Sequence, residues 1–446
     1  MFTKLTLHNF RCFDKIELDL TSKKDTPKHL ALIYGENGAG KSNLMSAFVL
    51  LNELLNTLNV RDLIEELLSQ KAIFSDESYE RIVKQRLVSE LRDIQAIIDD
   101  VRMVGSDEPV FVEYEFSIGG RTGTYCIELG ETEIKHERLV FLLNKRRGVF
   151  FDCSNNKIQI NDRLFVSPDT KAEIEVTAKK YWGKHSILAI VLYELQDKST
   201  SFGWDNISDN FADVLSEFVL FSSSVKIGTR TWQGLKPPIP ILTKAVSGSI
   251  PVAEESQLDL LEDIFTALFS ATNADIRRVY YDRKNDGNRI RYQLFFEKRI
   301  AGKYRQIKFD KESKGTHNLL DMFCYILTAC LGGTVVVDEA DSGIHDALFR
   351  KVLQETYDHI EGQLIMTTHN TMLMETEFGR DSVYILREND QGDTEIKCVN
   401  EFEKRTFANN NIRNKYYNGA YGGFPEVRPI QIESQIAMLH EFIDCE

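Results

Sequence analysis

The sequence predicts an α/β fold: a mixed, largely parallel central sheet, an antiparallel β subdomain and helical insertions. Three stretches carry that expectation. An apolar run, "HLALIYG" (29–35), passes through a glycine-rich turn into a helix that starts "KSNLMSAFVLL" (41–51). Two further apolar runs, "GTVVVDEA" (333–340) and "QLIMTTH" (363–369), bracket a helical pattern over 345–360 and read as parallel strands buried on both faces. The stretch "VFVEYEFSIGGRTGTYCIEL" (110–129) alternates apolar and polar residues around Gly119 and Gly120, as an antiparallel hairpin does.

With 446 residues the chain passes the length, about 250–300 residues, at which one core stops growing, so a main domain with insertions is expected. Its 42% hydrophobic and 27% charged residues fit a soluble globular protein. No apolar run approaches the roughly 20 residues that a membrane-spanning helix needs. The start, "MFTKLTLHNFRCF", alternates like a first strand and does not read as a signal peptide. The seven cysteines are scattered and form no CxxC pair, which argues against a disulfide framework and a zinc site and favours a cytoplasmic location. A net charge of −14 opposes broad adhesion to phosphate backbones, and nucleic acid remains a candidate partner only through a local basic groove.

In chain order, "KLTLHNFRCFDKIELDL" (4–20) reads as two short strands and "TSKKDTPK" (21–28) as a polar loop before the first apolar strand. From about 60 to 104 the pattern is helical. Val83, Leu87, Leu91, Ile94, Ile98 and Val101 recur at spacings of four and three, a stripe that suits either a partner helix or the domain's own core. Residues 171–280 look mostly helical, interrupted by the proline-rich "LKPPIPIL" (235–242). "RIRYQLFFEKRIAGKYRQIKFD" (289–310) is a second hairpin, turning at Ala301 and Gly302.

The chemistry gathers at four places. "GENGAGKS" (35–42) fits the phosphate-loop spacing. Gly35, Glu36, Asn37, Gly38, Ala39 and Gly40 would turn backbone N–H groups toward phosphate oxygens, Lys41 would reach the β and γ phosphates, and Ser42 would put a hydroxyl on Mg²⁺. Val335, Val336 and Val337 deliver Asp338 and Glu339 to a strand's end, as a Mg²⁺ ligand and a water-activating base. His369 follows the next apolar strand, where it serves either structure or the γ-phosphate. In "KESKGTHNLL" (311–320), Ser313 and Gly315 begin a helix whose N-terminus attracts anions, and ordinary capping by Ser313 or Thr316 explains the same stretch.

With these elements in order, the chain resembles ABC-type ATPases of the SMC, RecF and OLD-nuclease group, and more closely the stand-alone bacterial ATPases of abortive-infection and phage-defence systems. "LTLHNFRCF" is similar to their opening strand, "ESKGT" to their signature, "VVVDEADSGIH" to their Walker B and D-loop, and "TTHNTMLME" to their His switch. "GRDSVYILREND" and "RNKYYNGAYGGFPEV" resemble the closing segment of the stand-alone group. The resemblance implies an ABC-ATPase head formed by residues 1–50, 108–170 and 286–400, with helical insertions at 51–107 and 171–285 and a C-terminal segment at 401–446.

It further implies ATP and Mg²⁺ as cofactors and at least a homodimer, in which Ser313 and Gly315 touch the γ-phosphate held by the partner's Lys41. Ser342 and His345 would line the interface, and Asn9 and Arg11 would lie near the nucleotide. Lys314 stands where transporters have a second glycine, and no glutamine matches the family's Q-loop. A toprim nuclease module is not expected after His369. The function implied is an ATP-driven switch that regulates a separate effector, a nuclease or toxin, in anti-phage defence. The alternative is a DNA-repair or chromosome-associated ATPase that clamps DNA.

Overall fold

The structure, a computed structural model, describes residues 1–22, 26–69, 92–155, 157–196, 203–389, 391–402, 411–424 and part of 432–440. Strands β1 (Phe2–Phe10), β2 (Phe13–Asp19) and β3 (Leu30–Tyr34) precede α1 (Lys41–Ser69) and α2 (Ile94–Val101). Then come β4 (Val110–Ile118), β5 (Arg121–Leu129), β6 (Ile134–Leu143), β7 (Arg146–Ser154) and β8 (Lys157–Ile160). Helices α3 (Pro168–Tyr181), α4 (Ile187–Gln196) and α5 (Asp209–Val219) lead to β9 (Ser222–Ile227), β10 (Arg230–Gly234) and β11 (Ser247–Pro251). After α6 (Ser256–Thr272) follow β12 (Ile276–Asp286), β13 (Arg289–Ile300) and β14 (Lys303–Lys308). The chain closes with α7 (Lys314–Cys330), β15 (Thr334–Val337), α8 (Asp346–Thr356), β16 (Gln363–Thr367), β17 (Val383–Glu388), β18 (Thr394–Cys398) and α9 (Ile412–Tyr417).

Among the described residues these strands form three sheets. The central one runs β10-β9-β15-β16-β3-β17-β18, parallel from β9 to β17 with an antiparallel strand at each edge. An antiparallel sheet, β2-β1-β4-β5-β6-β7-β8, lies beside it, and a third sheet pairs β13 with β11, β12 and β14. The mixed sheet, the antiparallel subdomain and both hairpin turns therefore match the expected fold class.

Both faces of the central sheet are buried at β3, β15, β16 and most of β17, which is why these strands read as apolar runs. Ala31, Ile33, Val336 and Ile365 face a core shared with α1 and the antiparallel sheet. Leu30, Leu32, Val335, Val337 and Met366 face a second core with α6, α7 and α8. The first part of helix α1, to Leu58, is enclosed almost all round, burying Leu44, Met45, Phe48, Leu51, Leu54 and Leu58. Register aligns the strand ends: Val337 lies opposite Met366, Thr367 opposite Ile33, and Tyr34 opposite Ile385. Asp338, His369, Gly35 and Arg387 consequently emerge along one carboxyl edge, where open α/β sheets bind ligands.

Two stretches differ from the sequence reading. Residues 171–280 do carry α3 to α6, yet they also supply β9, β10, β11 and the start of β12. Strand β9 begins with three serines, so no apolar alternation marks it, although Ser222 and Ser223 are buried beside β15. In β12 only Ile276, Val279 and Tyr281 turn inward, among charged neighbours. The helical pattern over 60–104 is met by α1 to Ser69 and by α2, which Asp93 caps through the Ala96 N–H at 2.9 Å. Ile94, Ile98 and Val101 are buried in the core with α1, while Val83, Leu87 and Leu91 lie outside the described residues.

One buried acid makes stability pH-dependent. The fully buried Glu137 carboxylate accepts the Ile187 N–H at 2.7 Å, the Tyr125 hydroxyl at 3.1 Å and the Trp182 Nε1–H at 3.2 Å. Burial pushes its pKa from 4.5 up to about 7. The folded state thus holds a proton that the unfolded state has lost, and stability falls as pH rises across that window. Melting temperature should drop between about pH 5 and about pH 8 more steeply in the wild type than in Glu137→Gln, and parallel profiles would contradict this.

Candidate functional site

The loop between β3 and α1 is shaped by its glycines. Gly38 and Gly40 have φ of 86° and 100°, a left-handed backbone that side chains disfavour. A Cβ on Gly40 would come within 2.8 Å of the Phe13 ring, and one on Gly35 within 2.6 Å of the Leu386 carbonyl. Lys41 is buried at the start of α1, and its Nζ donates to the carbonyls of Gly35 at 2.8 Å and Glu36 at 3.0 Å. Burial lowers the Lys41 pKa, while Asp338 and Glu339 pull it back upward.

The acid pair is aimed by its neighbours. The Asp338 N–H donates to the Ser224 carbonyl at 2.8 Å, tying the end of β15 to β9. Thr367, fully buried at the end of β16, donates its hydroxyl to Asp338 Oδ1 at 2.5 Å and accepts the Glu339 N–H at 2.7 Å. Glu339 has φ of 51°, a left-handed conformation that costs a non-glycine residue about 1–3 kcal/mol. The Ala340 N–H, bonded to the Thr367 carbonyl at 3.0 Å, holds the chain in that turn.

Asn37, Gly38, Gly40, Lys41, Ser42, Asp338, Glu339 and His369 line one cavity of about 270 Å³. His369 is exposed, and its backbone N–H donates to the Asp341 carboxylate at 3.3 Å. The α1 N-terminus and Lys41 attract anionic oxygens there. Ser42 and Asp338 offer the hard oxygen donors that suit Mg²⁺, an ion that keeps several waters and takes phosphate oxygens as ligands. No group of three or more His, Cys, Asp or Glu that could hold a metal occurs among the described residues.

Other sequence candidates lie elsewhere. Arg11 does not line this cavity: its guanidinium donates to Asp100 at 2.7 Å, in a cluster with Arg92 and Glu53, and burial lowers its pKa. Asn9 donates to the Pro109 carbonyl at 3.2 Å. Ser313 caps α7 through the Thr316 N–H at 3.2 Å, and neither Ser313 nor Gly315 borders the cavity. A Cβ on Gly315 would meet the Gly343 carbonyl at 3.0 Å, so α7 begins against the loop that holds Ser342. Asn318 reinforces that contact by donating to the Ser342 carbonyl at 2.8 Å. His345 is exposed and caps α8 through the Ala347 N–H at 3.2 Å.

Two residues escaped the sequence reading. Thr367 gave only the signal of a hydroxyl ending an apolar strand. Gln233, on β10, joins Ser224, Lys314, Asp338 and Glu339 around a second cavity of about 340 Å³ on the far side of the acid pair. It became visible only once β9, with its unmarked serines, was placed next to β15.

Comparison with known proteins adds a family. A family model described as "AAA domain, putative AbiEii toxin, Type IV TA system" matches residues 30–375, and one described as "AAA domain" matches residues 4–52. No curated protein matches. Among solved structures, the SMC head domain from Thermotoga maritima aligns with TM-score 0.38 and 15% identity, over 89% of this chain and 98% of that one. The SmcHead bound to the C-winged helix domain of ScpA gives TM-score 0.44 and 16% identity, over 90% and 99%. An Smc head with an extended coiled coil, bound to the C-terminal domain of ScpA derived from Pyrococcus furiosus, gives 0.40 and 14%, over 90% and 97%. The first family match takes in well over half of the 446 residues, from β3 to beyond His369, and on that ground the protein belongs to the AAA-domain ATPase family.

Proposed function

We propose that the chain binds ATP with Mg²⁺ and hydrolyses it as a molecular switch. The supporting observation is the single cavity that Lys41, Ser42, Asp338, Glu339 and His369 share. In this reading Lys41 and the N–H groups of 35–40 hold the β and γ phosphates. Ser42 and Asp338 hold the ion, which supplies charge neutralisation at the phosphates when bound. Glu339 takes the proton of the attacking water, and His369 helps to position the reacting groups.

Ser313 and Gly315 complete the site of a second copy, so ATP closes a homodimer, or a larger homo-oligomer, and hydrolysis opens it. The switch regulates a separate effector, a nuclease or toxin, in anti-phage defence. The family description, which names a toxin and a toxin–antitoxin system, supports that context. The proposed setting is the cytoplasm, and no helix among the described residues is long and apolar enough to cross a membrane.

Complementation tests the shared site. Ser313→Arg should bind ATP yet not turn it over, and Lys41→Ala should do neither. Mixing the two should restore turnover, because one composite site is then intact; no recovery would remove the trans arrangement.

The DNA-clamping alternative also has an observation in its favour. Residues 276–308, the strands β12 to β14, carry 11 Lys and Arg against 3 Asp and Glu, in a chain of net charge −14. ATP turnover stimulated by DNA and lost steeply with added salt would favour that reading.

A further inference from the structure

The phosphate chemistry leaves a larger cavity, of about 730 Å³, without a role. Its walls include Glu36, Arg387, Glu388, Tyr417, Asn418 and Phe424. Asn37 and Gly38 border both this space and the cavity of Lys41 and Glu339. In the sheet, β3 lies between β16 and β17. A ligand lying across the loop therefore has one end toward His369 and the acid pair and its other end toward Arg387 and the segment 417–424.

The two ends differ in chemistry. Lys41 and the α1 N-terminus favour an anion at the first. At the second, Glu36 and Glu388 are exposed, while Arg387 is occupied by Glu395 at 2.7 Å and by the Tyr421 carbonyl at 3.0 Å. Carboxylates only accept hydrogen bonds, so they repel phosphate and suit the N–H edge of a neutral heterocycle. The rings of Tyr417 and Phe424 pack edge to face at 5.1 Å, with Tyr416 at 5.5 Å from Phe424. Tyr417 is 43% exposed, with the Arg413 guanidinium 5.5 Å from its ring centre, and Phe424 is half-buried, so both border the cavity with aromatic surface on which a base can stack.

This wall is anchored to the loop itself. Gly423 has φ of 67°, and a Cβ there would lie 2.8 Å from Ile385 Cγ2, 3.0 Å from the Leu386 carbonyl and 3.7 Å from Gly35. The Tyr416 hydroxyl donates to the Gly423 carbonyl at 2.8 Å. The Tyr417 and Thr371 hydroxyls bond at 2.7 Å, two residues past His369.

We infer that the segment 417–424 and the end of β17 form the base-binding half of the nucleotide site. They take the purine of a nucleoside triphosphate by stacking on Tyr417 and Phe424 and by N–H donation to Glu36 and Glu388. This rests on the nucleotide reading above and adds the part of the ligand that determines which nucleotide is chosen.

The test titrates the full chain with ATP and with inorganic tripolyphosphate, both with Mg²⁺. Replacing Tyr417 and Phe424 together by leucine should weaken ATP binding roughly 10-fold or more, the scale of one lost base stack, and leave tripolyphosphate binding unchanged. Unchanged ATP affinity overturns the base site alone, whereas a wild type that binds neither ligand overturns the nucleotide reading with it. If the leucines displace the segment, both ligands weaken and the melting temperature falls. The exposed Glu388→Ala then decides, by a selective loss of ATP affinity for the inference or by equal affinity against it.

Discussion

Glu339→Gln binds ATP, turns it over about 10²–10⁴-fold more slowly and accumulates as the closed assembly. Glutamine keeps the size of the side chain and leaves the backbone bonds to Thr367 in place, so the loop geometry survives. Only the capacity to take a proton from water is removed. Steady-state phosphate release measures the first effect, and light scattering with ATP present measures the second. Turnover equal to the wild type would take Glu339 out of its assigned role.

Lys41→Ala loses nucleotide binding. The ammonium is buried among loop carbonyls with two carboxylates nearby, and no other Lys or Arg among the described residues lines that cavity. Removing a charged hydrogen-bond donor costs about 1.5–3 kcal/mol, or roughly 10- to 150-fold in affinity. Desolvation of the remaining acids against phosphate adds to that loss. Equilibrium titration with ATP checks the outcome, and affinity within a few-fold of the wild type would show that Lys41 does not hold phosphate. Placing both variants in the same assay separates binding from chemistry.

The phosphate loop, the two acids and His369 were legible because each residue type there has a positional meaning. Glycine permits a left-handed turn, lysine a buried cation, and an acid ends an apolar run. Their meeting in one cavity follows from the parallel register of β15, β16 and β3, which continuous apolar runs already imply. Ser222, Ser223 and Ser224 hid a strand because small hydroxyl side chains give no period-2 signal. Gln233 stayed hidden with it. Arg11 pairs with Asp100, a partner 89 positions away that no local pattern discloses. The closing segment, similar in sequence to that of the stand-alone group, gave no hint that Gly423 presses on Leu386 and Gly35, because that contact depends on tertiary placement.

The left-handed turn at Glu339 sets when the work of aiming is done. Thr367 and the Ala340 N–H hold that conformation in the chain by itself, so the strain is met at folding by the surrounding bonds. A ligand arriving at the cavity finds the carboxylate already directed and has no rearrangement to drive at this residue. Binding energy at the cavity is then not drawn down by aiming this side chain.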